Sequence, residues 1–236
     1  MHIIKRLWYK RWVLRSLLST IYFNFHYLPF RQAVRLPILL YKPHFLDLKG
    51  KIIISGGVKT GMIELGRYKV SLYPNSGVVI ENHGGTIVFE GRCSIGNNSF
   101  LSIGPMATVT FGKNFFCTTS MKLTSYQNIT FEDNVLVGWD YLFMDTDFHC
   151  IKKKDGGKTK GVGTIKIGAN SWICAKSSIM KNTELPRFTT VASGTMLNKK
   201  MDIPECTVIG NDNNVVVKHT GAYWDSNDDT VEYKMD

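Results

Sequence analysis

The hydrophobic positions between Ile167 and Lys199 recur every six residues. Ile167, Ile173, Ile179, Leu185, Val191 and Leu197 are branched aliphatics at that spacing. Four places after each of the first five stands a small hydroxyl residue: Ser171, Ser177, Thr183, Thr189 and Thr195. A period of six matches neither an amphipathic helix nor an alternating strand. It matches a parallel β-helix, in which each hexad makes one short strand and one corner. The aliphatic points into a narrow core, and the small residue fits the tight inside of the corner.

Upstream the count is ragged. Residues 5 to 28 read as one or two helices, ended by Pro29 and Pro37. From Gly50 onward β-branched and apolar residues dominate, and 52–54, 78–80 and 86–89 read as short strands. The phase slips between 101 and 130, which predicts uneven corners or small insertions, and resumes at Phe131, Val137 and Phe143. Residues 152–163 break the pattern and must leave the solenoid as a loop. The expected organisation is a basic, aromatic helical segment over 1–48, an all-β parallel β-helix over 49–218 and a tail over 219–236. A solenoid has exposed ends. The first segment is expected to cap one of them, and the chain after Pro204 to fold back as a strand or short helix.

Composition narrows the class. The chain has 236 residues, 44% of them hydrophobic, enough for one sizeable core. Five cysteines, an odd number without CxxC spacing, argue against a disulfide framework or a structural zinc site and suit a reducing cytoplasm. No apolar run approaches the roughly 18 residues of a spanning helix. The basic start lacks an h-region and a cleavage site, so neither a signal peptide nor an anchor is expected. Net charge is +10, and no acid precedes Asp47. Lysines and arginines there interleave with Trp8, Tyr9, Trp12, Tyr22, Phe23, Phe25, Tyr27 and Phe30, which suggests an interfacial element on the anionic inner membrane face. The plainer alternative is a cap on the main domain or a brace on a neighbouring subunit. No base-reading motif is visible, so nucleic acid is not an expected partner.

Four stretches carry more than the hexads do. They are Val137-Gly-Trp-Asp-Tyr-Leu-Phe-Met-Asp-Thr-Asp-Phe-His149, Ile167-Gly-Ala-Asn-Ser-Trp-Ile173, Val191-Ala-Ser-Gly-Thr-Met-Leu-Asn-Lys199, and Val208-Ile-Gly-Asn211 followed by Trp224. Together they resemble the hexapeptide-repeat acyltransferases with a left-handed parallel β-helix. Within that family they are similar to the O-acetyltransferases of bacterial surface-polysaccharide synthesis, over about residues 50–224. The resemblance implies acetyl-CoA as donor, no metal, and a hydroxyl of a sugar in a capsule, O-antigen or exopolysaccharide as acceptor, free or lipid-linked. It also implies a homotrimer with sites between subunits. The chain departs from the family pattern at Cys174, where a Gly is usual, at Asn198, and at Asp212-Asn213-Asn214, which replaces Pro-Ala-Lys and removes a positive charge. Lys199, Lys200 and Lys218 are placed to compensate.

O-acetyl transfer needs a base to take a proton from the attacking hydroxyl, and a neutral imidazole suits that work near pH 7. His149, at the junction with the basic loop, is the candidate. Asp145 and Asp147 would share a face if a strand continued through them. One is expected to orient His149 and the other to bind sugar hydroxyls. Trp139 and Asp140 form an aromatic and acidic pair suited to a sugar, although such a tryptophan also fills subunit interfaces. By resemblance, the backbone N–H of Ala175 faces the oxyanion. Trp172, Ala192, Ser193 and Lys199 line the coenzyme A groove, with interface packing the alternative for Trp172. His83 reads as a turn residue. Lys152, Lys153, Lys154, Lys158 and Lys160 either grip an anionic acceptor or coenzyme A phosphates, or form a solvated loop. The rival functions are a sugar-nucleotide N-acyltransferase and a non-catalytic β-helix scaffold. A zinc enzyme on this fold would need about three convergent ligands, and only His149 and His83 lie usefully placed.

Overall fold

The computed structural model describes residues 11–68, 70–151, 154, 158–212 and 214–220. A 3-10 turn over Arg11–Ser16 leads into a helix, Leu17–Tyr27, and a short helix, Phe30–Ala33. The rest is a parallel β-helix with three faces. The first coil contributes β1 (Ile38–Leu40), β2 (Pro43–Leu48) and β3 (Lys51–Ile54). The second holds β4 (Ile63–Arg67), β5 (Val78–Asn82) and β6 (Thr86–Phe89), and the third β7 (Cys93–Gly96), β8 (Ser99–Ile103) and β9 (Thr108–Phe111). Next come β10 (Phe115–Ser125) with β11 (Asn128–Phe131), and β12 (Leu136–Met144) with β13 (Ile165–Ile167). The upper coils hold β14 (Trp172–Ile173), β15 (Ser178–Met180), β16 (Glu184–Leu185), β17 (Thr189–Val191) and β18 (Met196–Leu197). The chain ends in β19 (Thr207–Asp212) and β20 (Asn214–Thr220).

Because β10 and β12 run continuously round a corner, faces one and two form a single 14-stranded sheet. Face three is a separate 6-stranded sheet of β3, β6, β9, β11, β13 and β16. All pairings along the solenoid are parallel. The exception is β20, which folds back antiparallel on β19. In the upper coils Ile173 pairs with Val191 and Val191 with Ile209, three hexads per turn. Lower down, Ile95 pairs with Cys117 and Leu123 with Phe143, so those coils are longer by a few residues. That difference is the phase slip of the sequence.

The core is a set of ladders one side chain wide. On face three, Ile54, Phe89, Phe111, Phe131, Ile167 and Leu185 stack in register, all buried. The Phe89–Phe111 and Phe111–Phe131 rings lie 5.4 Å apart and nearly parallel, the offset stacking that aromatics favour. The corners explain the small hydroxyl residues. Four of the five hydroxyls donate to the carbonyl three residues back: Ser177 to Cys174 at 2.8 Å, Thr183 to Met180 at 2.7 Å, Thr189 to Pro186 at 2.8 Å and Thr195 to Ala192 at 2.6 Å; the Ser171 hydroxyl accepts the Thr189 N–H at 3.3 Å. A carbonyl turned inward at a tight bend is thereby satisfied, which burial requires. Many corners hold one residue in the left-handed conformation, as at Asn134 (φ 59°), Asn170 (φ 58°) and Asn182 (φ 67°). Asparagine tolerates that region better than most residues.

The solenoid begins at Ile38, inside the segment that the sequence assigned to helix. β1 is too short, and too close to Pro37 and Pro43, to show a period. The helix covers its open edge. Asn24 donates to the Ile38 carbonyl at 2.7 Å and accepts the Ile38 N–H at 3.1 Å; Thr20 accepts the Leu40 N–H at 3.2 Å and Ser16 that of Lys42 at 2.9 Å. An unpaired sheet edge templates aggregation, and three side chains one helical turn apart close this one.

Candidate active site

The motif residues fall at the two ends of face two. At its first corner, shared with face one, three coils stack Gly138-Trp139-Asp140 under Cys174-Ala175-Lys176 and Ala192-Ser193-Gly194. Hydrogen bonds from the Lys176 N–H to Trp139 O (2.8 Å) and from the Gly194 N–H to Ala175 O (2.9 Å) fix that stack. No acceptor among the described residues takes the Ala175 N–H. Beneath it, the buried Tyr141 fills the corner position normally held by a small residue and donates to Ile173 O at 2.6 Å. Burial, its largest cause, drives the Tyr141 phenol well above its ordinary pKa, so it remains a donor. A Cβ on Gly138 would lie 2.6 Å from that hydroxyl, so only glycine fits there.

Trp139 and Asp140 are both exposed at this corner. Tyr73, from the loop between β4 and β5, joins them. Its hydroxyl donates to Asp140 at 2.8 Å, and its ring meets Trp139 edge-on at 6.3 Å. Desolvation first, then the Asp140 bond, pushes the Tyr73 phenol up to about 12. Trp172 lies on the outer side of face one, in register with Leu136 below and Thr190 above. Cys174, next to Ala175, has its thiol raised to about 11 by burial, so it is a packing residue rather than a nucleophile at neutral pH.

The second corner of face two carries the loop. β12 stops at Met144, so Asp145 and Asp147 do not share a strand face as expected. Asp145 is fully buried and accepts the Ser125 hydroxyl at 2.7 Å, the Tyr126 N–H at 2.6 Å and the Gln127 N–H at 2.9 Å. It is held in the turn of the coil below. Asp147 is exposed and ion-paired to Lys181 of the coil above. Lys181 also donates to Lys160 O at 3.0 Å on the returning arm. The arms are joined by a bridge between Thr146 and Val162 and by the Asp147 N–H to Gly161 O at 2.7 Å. Among the described residues neither carboxylate touches the His149 imidazole, which stands exposed next to Phe148. The Phe148 ring packs edge-on against Tyr126 at 5.1 Å. Lys199 is exposed at this same corner, two residues beyond Leu197, so it lies across face two from Ala192 and Ser193. Lys152 and Lys153, the side chain of Lys218, and Trp224 lie outside the described residues.

Tyr73, Tyr126, Phe148 and Lys181 were not singled out from the sequence. Each reaches the site from another coil or from a loop whose length no period reveals. A second polar group lies lower on face two. His83 lies at the turn after β5, hydrogen-bonded to Asp47 at 3.1 Å and 3.4 Å from Glu81. Among the described residues no three His, Cys, Asp or Glu side chains gather as metal ligands. One concavity of about 450 Å³ lies between the N-terminal helix and β3, lined by His26, Tyr27, Lys51 and Ile53 among others, and it contains none of the motif residues.

No protein-family model and no curated protein matches this sequence. A solved structure does share the architecture: the crystal structure of the polySia specific acetyltransferase NeuO superposes with a TM-score of 0.53 at 16% identity, over 80% of this chain and 74% of that one. A likeness at that identity establishes the fold, the left-handed parallel β-helix with a short N-terminal helical extension expected from the hexads, the family resemblance and the first helical segment together.

Proposed function

We propose that the protein is an acyl-CoA-dependent O-acetyltransferase that moves an acetyl group from acetyl-CoA to a hydroxyl of a bacterial surface polysaccharide. The observation that carries this reading is the first corner of face two. There a backbone N–H without an acceptor among the described residues, at Ala175, stands in a column of small residues directly above the exposed Trp139 and Asp140 and the half-buried Tyr73. An N–H fixed in a rigid corner stabilises a thioester oxyanion at no reorganisation cost, worth a few kcal/mol. The aromatic and carboxylate pair offers a stacking surface and an acceptor to a sugar. Ala192, Ser193 and Gly194 continue the narrow column along which a pantetheine arm would lie. The likeness to an acetyltransferase fold supports the same reading.

In this mechanism His149 takes the proton of the attacking sugar hydroxyl as the oxygen bonds to the thioester carbon. The tetrahedral intermediate collapses, the C–S bond breaks, and the proton passes to the departing thiolate. His149 and Ala175 stand at opposite ends of face two in one protomer, so the reaction needs the His149 corner of one copy beside the Ala175 corner of the next. A homotrimer does this in a closed ring. Turning face two towards the three-fold axis leaves face three in solvent. That face carries the Lys166–Glu132 and Lys200–Glu184 ion pairs, both at 3.0 Å. The exposed Phe100, in register with Lys122 and above it Leu142, supplies apolar surface on face two.

The test is to incubate the purified chain with acetyl-CoA and the surface polysaccharide of its own cells. Free coenzyme A and the glycan mass are then followed together. Release of thiol matched by one acetyl mass per modified sugar, lost on mild base, is the expected result. Base-stable transfer to an amino sugar would replace this reading with the N-acyltransferase. Absence of any transfer would leave the scaffold.

A further inference from the structure

We propose that the outer face of the N-terminal helix docks on an anionic lipid bilayer, with the β-helix standing end-on to the membrane. The helix is apolar on its outer side as well as its inner one. Its inner side buries Phe23 in the core and commits Ser16, Thr20 and Asn24 to the backbone of β1. Its outer side carries Leu14, Leu18, Ile21, Tyr22 and Phe25, with Phe30 just beyond, all exposed; Leu14 is 70% and Leu18 83% accessible. A surface helix ordinarily buries such residues and shows polar ones to water. A contiguous apolar surface marks a docking site.

Charge selects the occupant. The first 46 residues hold no acid, and Arg15, Arg31, Arg35 and Lys42 among them are exposed. A second copy seated on this face through a two-fold contact would bring like charges together. An anionic headgroup layer neutralises them while the leucines and aromatics enter the acyl boundary. Among the described residues no helix is long and apolar enough to cross a membrane, so the helix lies on the surface.

Geometry sets the orientation. The helix hydrogen-bonds to the open edge of β1, so its outer face looks along the solenoid axis. In a ring of parallel solenoids every helix faces the same plane. The strands of face one from β1 to β14, about 4.8 Å apart, raise the first corner roughly 25 Å above β1. This height rests on the transferase reading, and it puts the modified sugar along the glycan chain rather than beside its lipid; the docking itself does not depend on that reading.

Flotation of the full chain with phosphatidylcholine vesicles, with and without phosphatidylglycerol, tests the docking. The expected result is binding to the anionic vesicles at about 0.1 M salt that falls at about 1 M, as the screening length drops from roughly 10 to 3 Å. The double variant Leu14→Glu/Leu18→Glu should bind about tenfold or more weakly, because two apolar side chains no longer insert. Its circular dichroism and oligomer mass should be unchanged. Arg15→Glu/Arg31→Glu, which leaves the apolar face intact, should lose only the preference for anionic vesicles. Wild-type protein that stays at the bottom of the gradient overturns the proposal. So does a leucine variant that floats like wild type, or one whose oligomer dissociates, which would show that another copy covers this face.

Discussion

Ser125 holds Asp145 in the wall of the solenoid, one coil below the corner from which the His149 loop departs. The Ser125 hydroxyl donates to the carboxylate at 2.7 Å, and two backbone N–H groups complete a fully buried acceptor site. The loop therefore leaves the helix from a fixed root. Asp145→Ala would strand one buried and two half-buried donors and should lower stability by about 2–5 kcal/mol. Asp145→Asn, which keeps one acceptor oxygen, should cost less and should reduce kcat more than donor KM, since it loosens the His149 loop without touching the coenzyme A column. Urea denaturation and steady-state kinetics on both variants check this. An Asp145→Ala protein as stable as wild type would show that the root is not held there.

His149→Ala should reduce turnover by about two to four decades, the usual worth of a general base. Coenzyme A binding, followed by calorimetry, should be nearly unchanged, because the small-residue column lies at the other end of face two. Full activity on the native acceptor would remove His149 from the mechanism.

The upper coils were legible because the core admits one side chain per strand and one small hydroxyl per corner, so Ile167 to Leu197 had to count in sixes. The loop was legible as a break in that count. Alternation does not extend to Asp145 because the strand ends at Met144 and the chain turns inward there. β1 carries no legible period because it is three residues long, in a stretch closed by Pro37 and Pro43. Tyr73 and Asp140 are 67 positions apart, and it is the loop between β4 and β5, whose reach no period reveals, that brings the phenol to the carboxylate. Lys181 followed no motif at all; it meets Asp147 because β15 lies directly on β12.

The lower coils should show an acid-dependent stability step at Asp47. Its carboxyl is held down from 3.8 to about 2, mainly by the Lys49 side-chain bond, opposed by desolvation and aided by His83. A depressed folded-state pKa stabilises the protein above the unfolded value, and the benefit is lost as the group protonates on the way down. Wild type should therefore exceed Asp47→Asn in urea midpoint at pH 5. The gap should narrow between about pH 4 and pH 2 and close below that. A gap independent of pH would mean that the Lys49 and His83 contacts do not depend on the charge.

The division of the motif between two corners gives a test that does not require knowing the acceptor's structure. His149→Ala removes the base at the second corner, and Ser193→Trp, at an exposed position, blocks the column at the first. Each variant alone should be inactive. If every site combines the second corner of one copy with the first corner of the next, trimers co-expressed from both genes will contain intact sites. With random assembly about a quarter of the sites pair a good His149 with a good column, so about a quarter of wild-type activity should return. A site completed within one protomer yields no recovery, because every chain then carries a defect in its own site. Light scattering on the same sample must report the trimer mass for the comparison to hold. A monomer near 26.7 kDa would end the shared-site reading directly.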